Sequence, residues 1–530
     1  MRKHHQKQLL GLIQTLGEAH AEAERLFSAK KTEIALGLLS HCRKNASRIG
    51  SIIEELEGEG TRTVVHLEEY GEILHRIDVD TIHEGNDSGF FEQLDKQLLI
   101  IENSVRTDLK PNRIEMVFLP YKVSMWDSME SVWRAANADP DCDAHVIPLP
   151  YYDRRPDGTF GQMHCEGGEF PEDVPIIDWQ KYNFAERRPD VIVIHSPYDD
   201  NNHVKSVHPD FYSKQLKEFT DLLVYIPYFV CLGNISERFV ACTGTLHADK
   251  VVVQSDRIRD TYIRVFREIE KRNNCPGGFG NLEEKFIALG SPKFDKVIDT
   301  KREDCKIPDA WRKLIEKPDG TRKKVVLYNT CIEVLLEGNE KVLHKLRRVF
   351  DCFRERDDVV LLWRPHPMSA ATYESMRPQL YGEYQDIVAE YRRQGFGIYD
   401  DTADPHRAIA VSDAYYGDAW SSLQVMFTYT GKPVLMQNFG VLPENKSEIS
   451  LSKNADICNT MIDCAFGETS AEFLDAFLRY VTQDDDSGKA VALHDKQIEV
   501  VRKTNANVDG TSGAAIFSFC KKAAQAGRGE

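Results

Sequence analysis

The sequence lacks the features that define several large classes of protein. Its twelve cysteines are scattered singly, with no CxxC pair and no Cys/His cluster at zinc spacing. They fit reduced thiols in a cytosol better than a disulfide framework. No apolar run approaches the roughly 18 residues of a membrane-spanning helix, and the stretch MRKHHQKQLLGLIQ has no signal-peptide core. We therefore expect a cytoplasmic protein.

The sequence also has fewer basic than acidic residues. The chain has 67 Lys and Arg against 84 Asp and Glu, which gives a formal net charge of −17. Because proteins that bind the phosphate backbone carry basic surfaces, this balance disfavours nucleic acid as a partner. It leaves open a peripheral contact with the inner face of the cell membrane, since the total charge does not reveal a local patch.

Proline is absent from residues 1–105. Apolar residues recur there three and four positions apart on a charged background, as at Leu9 and Ile13. The pattern predicts an α-helical N-terminal region, a hairpin or small bundle, broken near Glu57–Arg62 and Glu84–Gly89. Two roles remain open for it: packing, including a homodimer, or docking onto a membrane or partner.

From Pro111 onward, short apolar runs rich in β-branched residues alternate with helical stretches. Such runs are typical of strands buried on both faces of a parallel sheet. The alternation occurs twice, which predicts an α/β protein with two Rossmann-like parallel-sheet domains facing a cleft. The predicted divisions are 1–105 for the helical region, 106–300 for the N-terminal Rossmann-like domain, 301–322 for a linker, 323–470 for the C-terminal Rossmann-like domain, and 471–530 for C-terminal helices and a tail.

Polar side chains follow the predicted strands of the second block, where ligands of parallel sheets bind. Two hydroxyls at a helix N-terminus suit a phosphate, a forked guanidinium matches phosphate oxygens, and a histidine donates to phosphate or shuttles a proton. Taken singly, the serines are also explained as helix caps and the histidine as a loop residue; together they favour a phosphate-bearing ligand. These candidates are Asn329, Thr330, Arg364, His366, Asp418, Ser421 and Ser422.

An acidic group after another strand of this block has two interpretations. Asp400, Asp401 and Asp404 could hold a divalent ion, or they could cap a helix and complement its dipole. The second interpretation is favoured, so the sequence calls for no metal and no cofactor.

The second block resembles a known family. The stretches VLLWRPHP and IAVSDAYYGDAWSSLQVMFTYTGKPVLM resemble the C-terminal signature of the CDP-glycerol glycerophosphotransferases, the teichoic-acid polymerases of GT-B fold. LGSPKFD and VVLYNT resemble the family's segments before and after its interdomain linker. The resemblance is strong over residues 323–436, weak over 113–220 and absent before 105.

The resemblance implies a GT-B-like fold with a donor side in the second domain and an acceptor side in the first. It implies transfer of glycerol phosphate, or another polyol phosphate, from a CDP-linked donor to a hydroxyl of a glycan or lipid-linked acceptor in cell-envelope polymer synthesis, with release of CMP. Arg364 and His366 would recognise phosphate near the reacting centre, Ser421 and Ser422 would hold the CDP pyrophosphate, and Asp418 would position the turn or a ligand hydroxyl. The chain departs from the family pattern by having two residues between Asp418 and the first serine.

The family's base lies in a Trp-His-Gly motif, and the matching stretch Val224–Val230 contains no histidine. His195 follows a β-branched strand and is the substitute that the sequence offers, with Asp199 to orient its imidazole. Tyr225 and Tyr228 either line an acceptor pocket or pack in the core.

Two further stretches of the first block complete the candidate set. Lys122, Trp126 and Asp127 follow the first predicted strand and are candidates for the cleft. Tyr151–Gly161 reads as a long, mobile, polar loop facing the acceptor.

Two alternative functions remain open. One is a GT-B glycosyltransferase that uses a nucleotide-sugar donor, with Asp413 or Asp418 binding sugar hydroxyls. The other is a non-catalytic relative whose helical N-terminal region acts in an assembly complex.

Overall fold

The computed structural model describes most of the chain. The described residues are 1–80, 87–155, 157–202, 204–231, 235–418, 421–438, 460–463, 468–483, 495, 498–499 and 501–526. No helix among them is both long and apolar enough to cross a membrane.

Four long helices form the N-terminal region: α1 Lys3–Ser28, α2 Thr32–Glu57, α3 Arg62–Asp80 and α4 Asp87–Thr107. They pack in a closed ring, since α1 contacts both α2 and α4, and α3 contacts α2 and α4. The three- and four-residue spacing puts one apolar stripe of each helix inside, as with the buried Ile13, Ile49 and Leu94. The predicted helical region is therefore confirmed as a four-helix bundle. Of the two predicted breaks, Glu57–Arg62 separates α2 from α3, and Glu84–Gly89 lies partly outside the described residues.

A six-stranded parallel sheet forms the core of the first domain. Its strands are β1 Ile114–Leu119, β2 Cys142–Val146, β5 Val191–Ile194, β7 Leu222–Tyr225, β8 Lys250–Val253 and β9 Phe286–Ala288, in the order β2-β1-β5-β7-β8-β9. The continuous apolar runs explain why β1, β5 and β7 are buried along their whole length. The helices of this domain are α5 Glu130–Asn137, α6 Phe184–Arg187, α7 Ser213–Lys217, α8 Glu237–Val240, α9 Thr243–His247, α10 Asp256–Arg272, α11 Leu282–Lys285 and α12 Pro292–Asp299.

A small antiparallel sheet lies beyond the carboxyl ends of β2 and β5. Its strands are β3 Tyr151–Arg154, β4 Phe160–His164 and β6 Lys205–Val207, in the order β4-β3-β6. The prediction of a long loop over Tyr151–Gly161 is therefore wrong. The segment instead forms a hairpin, because its side chains alternate between two packed faces, with the Tyr152 and Phe160 rings 4.8 Å apart on one of them.

A second six-stranded parallel sheet forms the core of the other domain. Its strands are β10 Lys324–Thr330, β11 Val359–Pro365, β12 Ile398–Tyr399, β13 Ala414–Gly417, β14 Val434–Asn438 and β15 Thr460–Asp463, in the order β12-β11-β10-β13-β14-β15. The remaining helices are α13 Asp309–Ile315, α14 Ile332–Gly338, α15 Glu340–Arg354, α16 Ser369–Met376, α17 Pro378–Gln394, α18 Pro405–Val411, α19 Ser422–Tyr429, α20 Glu468–Thr482 and α21 Ser512–Ala526.

The two sheet domains share apolar contacts. Val230 and Phe294, from the first domain, belong to the same buried cluster as Val325 and Phe427 of the second. Helix α21 follows the second domain in the chain but packs on α5 of the first. Two Rossmann-like parallel-sheet domains preceded by a helical region are the predicted GT-B-like fold class, which is confirmed.

Candidate active site

The second sheet brings the predicted donor-side residues to one edge. In the sheet register, Asn329 lies opposite both Arg364 and Gly417. These residues end neighbouring parallel strands, so the loops that follow them share the carboxyl edge. The His366 N–H donates to the Thr330 carbonyl at 2.9 Å, which joins the RPHP loop to the end of β10.

The guanidinium of Arg364 makes bonds to other residues of the second domain. Its side chain is buried and forms an ion pair with Asp400. Its other terminal nitrogen donates to the Thr402 carbonyl at 2.7 Å. These bonds fix the β11 loop to the loop after β12. Phosphate binding by Arg364 stays a prediction.

Asp418 and Asn329 are held in the same way. The buried Asp418 carboxylate accepts from the Lys345 ammonium at 2.9 Å and from the Cys331 N–H at 2.7 Å. The Asn329 amide donates to the Arg364 carbonyl at 2.9 Å. Both side chains therefore fix the backbone of the edge, and their predicted contacts with a donor stay predictions.

His366 has a ring nitrogen open to a ligand. Its Nδ1 accepts from the Met368 N–H at 3.1 Å, which leaves the ring proton on Nε2. Burial, together with the charges of Lys122 and Arg364, lowers the pKa of His366 to about 4. At neutral pH the ring is therefore uncharged and donates from Nε2. Lys122 belongs to the first domain, so a charge of that domain acts on this histidine of the second.

The two predicted serines have different contacts. Ser421 caps α19, since its Oγ accepts from the Leu423 N–H at 3.2 Å. The Ser422 hydroxyl exchanges hydrogen bonds with the backbone of Val230, in the first domain, at 3.2 and 3.3 Å. One serine thus orders the helix N-terminus, and the other ties that helix across the cleft.

His195 lies away from any open surface. It is 0% exposed, its Nε2 accepts from the Tyr121 N–H at 3.2 Å, and its Nδ1 lies 3.2 Å from the Ser128 hydroxyl. Burial lowers its pKa to about 4. His195 holds the loop after β1, and with both nitrogens hydrogen-bonded in the core it has no nitrogen free to act as the predicted base.

Asp199 does not orient the His195 ring as predicted. Its buried carboxylate accepts from the backbone N–H and the hydroxyl of Ser213, at the start of α7. Burial raises the pKa of Asp199 to about 6, an effect that the bonds from Ser213 only partly offset.

This shifted pKa predicts a pH dependence of stability. The protonated Asp199 stabilises the fold below the carboxyl's ordinary pKa of about 4, and that contribution is lost as the pH rises through about 6. Replacing Asp199 by Asn, which tolerates the residue's φ of 48°, removes this loss. Between pH 4 and pH 7, the stability of the variant relative to wild type should rise by on the order of 2 kcal/mol. Urea unfolding at both pH values measures the change, and an unchanged difference contradicts the prediction.

Burial decides between the two interpretations of Tyr225, and the predicted place of Asp413 needs correction. Tyr225 is 0% exposed at the end of β7, so it packs in the core, whereas Tyr228 is partly exposed and its hydroxyl lies 3.2 Å from that of Tyr198. Asp413 precedes β13 and pairs with Arg322 at 2.7 Å. It therefore lies at the amino edge of the sheet, away from the predicted ligand side.

Asp127 joins the two domains. Both its oxygens accept from the Lys293 ammonium, at 2.6 and 2.7 Å, and one contacts Nε2 of His406, on α18 of the second domain, at 2.8 Å. Burial favours the neutral acid, but Lys293 and His406 outweigh it and hold the pKa of Asp127 below its ordinary value. Trp126, beside it, is buried in the core.

The acidic cluster after β12 is divided among separate partners. Asp400 pairs with Arg364, Asp401 with Arg392 at 2.6 Å, and Asp404 caps α18. No group of three or more His, Cys, Asp or Glu side chains within the described ranges is arranged to hold a metal ion.

A polar cluster in the first domain includes Lys122 and was not predicted as a cluster from the sequence. Glu166 accepts from the Tyr151 hydroxyl at 2.5 Å and lies 3.7 Å from the Lys122 ammonium. Asp153 lies 2.7 Å from both Lys205 and His164. The available signal was the alternation of polar and aromatic residues over Tyr151–His164, which is typical of a half-buried hairpin. The members of this cluster are Lys122, Tyr151, Asp153, His164, Glu166 and Lys205.

No protein-family model matches the sequence, and no curated protein matches it. Solved structures show low similarity. A putative UDP-N-acetylglucosamine 2-epimerase from Listeria monocytogenes is 13% identical with a TM-score of 0.43, over 78% of this chain and 98% of that one. The wall teichoic acid polymerase TagF is 13% identical with a TM-score of 0.41, over 86% of this chain and 98% of that one. At these values the similarities assign no activity or substrate.

Proposed function

We propose that this chain transfers glycerol phosphate, or another polyol phosphate, from a CDP-linked donor to a hydroxyl of a glycan or lipid-linked acceptor. The observation that carries the proposal is the place of His366. Its neutral ring keeps an Nε2–H free of partners among the described residues, at the carboxyl edge of the second sheet. The charge of Lys122, in the first domain, acts on this ring.

The chemistry fits these two side chains. The acceptor oxygen attacks the β-phosphorus of the donor, the bond to the bridging oxygen breaks, and CMP leaves with the electron pair. His366 donates from Nε2 to a phosphoryl oxygen, and the Lys122 ammonium offsets negative charge that develops during transfer. The N-terminus of α19, ordered by Ser421, presents backbone N–H groups toward the pyrophosphate.

The partners and location form part of the same proposal. A lipid-linked acceptor brings the chain into peripheral contact with the inner face of the cell membrane, with the rest of the protein in the cytoplasm. A homodimer through the bundle is supported by large apolar side chains that remain exposed on it, among them Ile34 at 61% and Leu99 at 57%.

A non-catalytic role is the second candidate, and two observations favour it. The predicted base His195 is buried, and the predicted phosphate ligand Arg364 is occupied by Asp400. A protein of this kind binds CDP without turning over the donor.

Calorimetry with CDP, UDP and GDP, followed by measurement of CMP release from CDP-glycerol with hydroxyl acceptors, separates these functions. We expect CDP-selective binding and acceptor-dependent release of CMP. Selectivity for UDP favours a nucleotide-sugar transferase, and CDP binding with no turnover on any acceptor favours the non-catalytic role.

Replacing His366 by Ala should lower CMP release by about a hundredfold, because a donor to the phosphoryl oxygen is lost. The matched control is His344→Ala in the same domain, where the side chain is exposed on α15. The control should keep the wild-type rate. Equal rates for His366→Ala and wild type would falsify the assignment of His366.

A further inference from the structure

One face of the small antiparallel sheet gathers polar side chains. In its register, Tyr151 lies opposite His164, and Asp153 lies opposite Lys205. Since side chains two apart in a strand share a face, these four residues project to the same side of the sheet. Tyr152 lies on the other side with His208, whose ring centroid is 5.7 Å from its own.

His164 is held by a carboxylate that is itself held by a lysine. Its Nε2 lies 2.7 Å from one Asp153 oxygen, and the Lys205 ammonium lies 2.7 Å from the other. The carboxylate favours the tautomer with the proton on Nε2, so Nδ1 carries the lone pair. Nδ1 makes no hydrogen bond to any residue that the structure describes, and the side chain is 30% exposed.

Packing connects this histidine to the cleft. The His164 ring stacks on Tyr151, with centroids 5.2 Å apart and an interplanar angle of 23°. The Lys122 ammonium lies 5.1 Å from the centre of the same Tyr151 ring. Lys122 is also the first-domain charge that acts on His366. The hairpin face therefore contacts Lys122 through Tyr151, and the Lys122 charge links it electrostatically to the proposed donor side.

The backbone supports the arrangement of Asp153. A Cβ at Gly161 would lie 3.3 Å from both the Cβ and the carbonyl oxygen of Asp153. The strands approach closely at this point, where the register of the hairpin shifts. Glycine at 161 thus lets Asp153 sit against β4 and reach His164.

We propose that His164 is the catalytic base that activates the acceptor hydroxyl, with Asp153 and Lys205 as positioning residues. The proposal rests on the proposed function. Nδ1 of His164 takes the proton of the acceptor hydroxyl as the oxygen forms its bond to the β-phosphorus. The bond between that phosphorus and the bridging oxygen breaks, and CMP departs with the electron pair. The acceptor is therefore bound against the hairpin face, by its hydroxyl.

The test compares His164→Gln with the matched control His208→Gln, which changes a histidine on the opposite face of the same sheet. We expect kcat for CMP release to fall about a hundredfold in His164→Gln, with the Kd for CDP within about twofold of wild type. The control should keep both values. Added imidazole should restore part of the turnover of His164→Ala, a result that a purely structural histidine does not give.

The outcomes separate the two proposals. If wild type releases CMP and His164→Gln does so at a similar rate, the base is wrong and the proposed function stands. If His164→Gln loses CDP binding in step with turnover, His164 has a structural role and the base is again wrong. If wild type releases no CMP with any hydroxyl acceptor, both proposals are overturned.

Asp153→Asn tests the positioning role separately. The variant keeps the shape of the side chain but weakens its hold on the His164 ring, because the charged acceptor is lost. We expect kcat to fall while the KM for the donor stays close to wild type, because Asp153 does not lie on the donor side. A rise in the KM for the donor by the same factor as the fall in kcat contradicts this role.

Discussion

Replacing Lys345 by Met is expected to lower the free energy of unfolding by about 3–5 kcal/mol, because it leaves a buried carboxylate without its counter-ion. Lys345 and Asp418 are each 1% exposed, and their ion pair measures 2.9 Å. The Cys331 N–H remains as a partner of Asp418 in the variant, but one neutral donor does not offset the loss of a full charge. Urea unfolding at neutral pH measures the change.

Lys96→Met is the matched control, because it also removes a helical lysine paired with an acid. Lys96 and Glu92 lie on the surface of α4 and are 71% and 67% exposed. Water screens that pair, so the control should change stability by no more than about 0.5 kcal/mol. A loss of similar size in both variants would show that burial of Asp418 is not the cause.

Replacing Asp127 by Asn should be comparably severe and should act on the junction between the domains. The substitution leaves the Lys293 ammonium, which is 5% exposed, without its counter-ion. It also weakens the contact with His406. We expect a loss of about 3–5 kcal/mol at neutral pH. Because the pKa of Asp127 is held below its ordinary value, its contribution is present above about pH 4 and fades as the pH falls further.

A double-mutant cycle with Lys293→Met identifies the pair as the source of this loss. Removing both charges should recover part of the stability, with a coupling energy of about 1–3 kcal/mol. Glu333→Gln is the matched control, since Glu333 also faces a charge of the other domain, Arg238, but at 3.7 Å and 50% exposed. Additive losses in the cycle contradict the assignment.

The sequence predicts the parallel strands well because short, continuous apolar runs are found in few other kinds of structure. VVLYNT reads as a buried strand and forms most of β10, and VLLWRP ends β11. The strands that were missed, such as β4 Phe160–His164, are short and half-exposed. Their polar residues alternate with apolar ones over too few positions to outweigh turn residues such as Gly158.

In the candidate site, too, some features could be predicted from the sequence and others could not. The position of a residue at a strand end follows from the chain, so His366 and Lys122 could be placed at the cleft edges. Which partner a side chain pairs with depends on the tertiary fold. Asp418 pairs with Lys345 on a distant helix, and the sequence around neither residue indicates this pair. The position of His195 after a strand predicts a residue of the cleft. The residues next to it in the sequence do not indicate that a loop buries it. The same limit hid His164, whose Asp153 is eleven residues away but adjacent across a hairpin.

The return of α21 to the first domain has a consequence for synthesis of the chain. Ile516 and Phe517 belong to a buried cluster with Trp133, and the Gly513 N–H donates to Asp295 at 2.7 Å. During translation, the first domain emerges with the apolar surface of α5 uncovered. It stays so until more than two hundred further residues are made, which takes on the order of ten seconds or more. In that interval the nascent first domain exposes apolar side chains that α21 later buries, and it gains these contacts only after the second domain has been made.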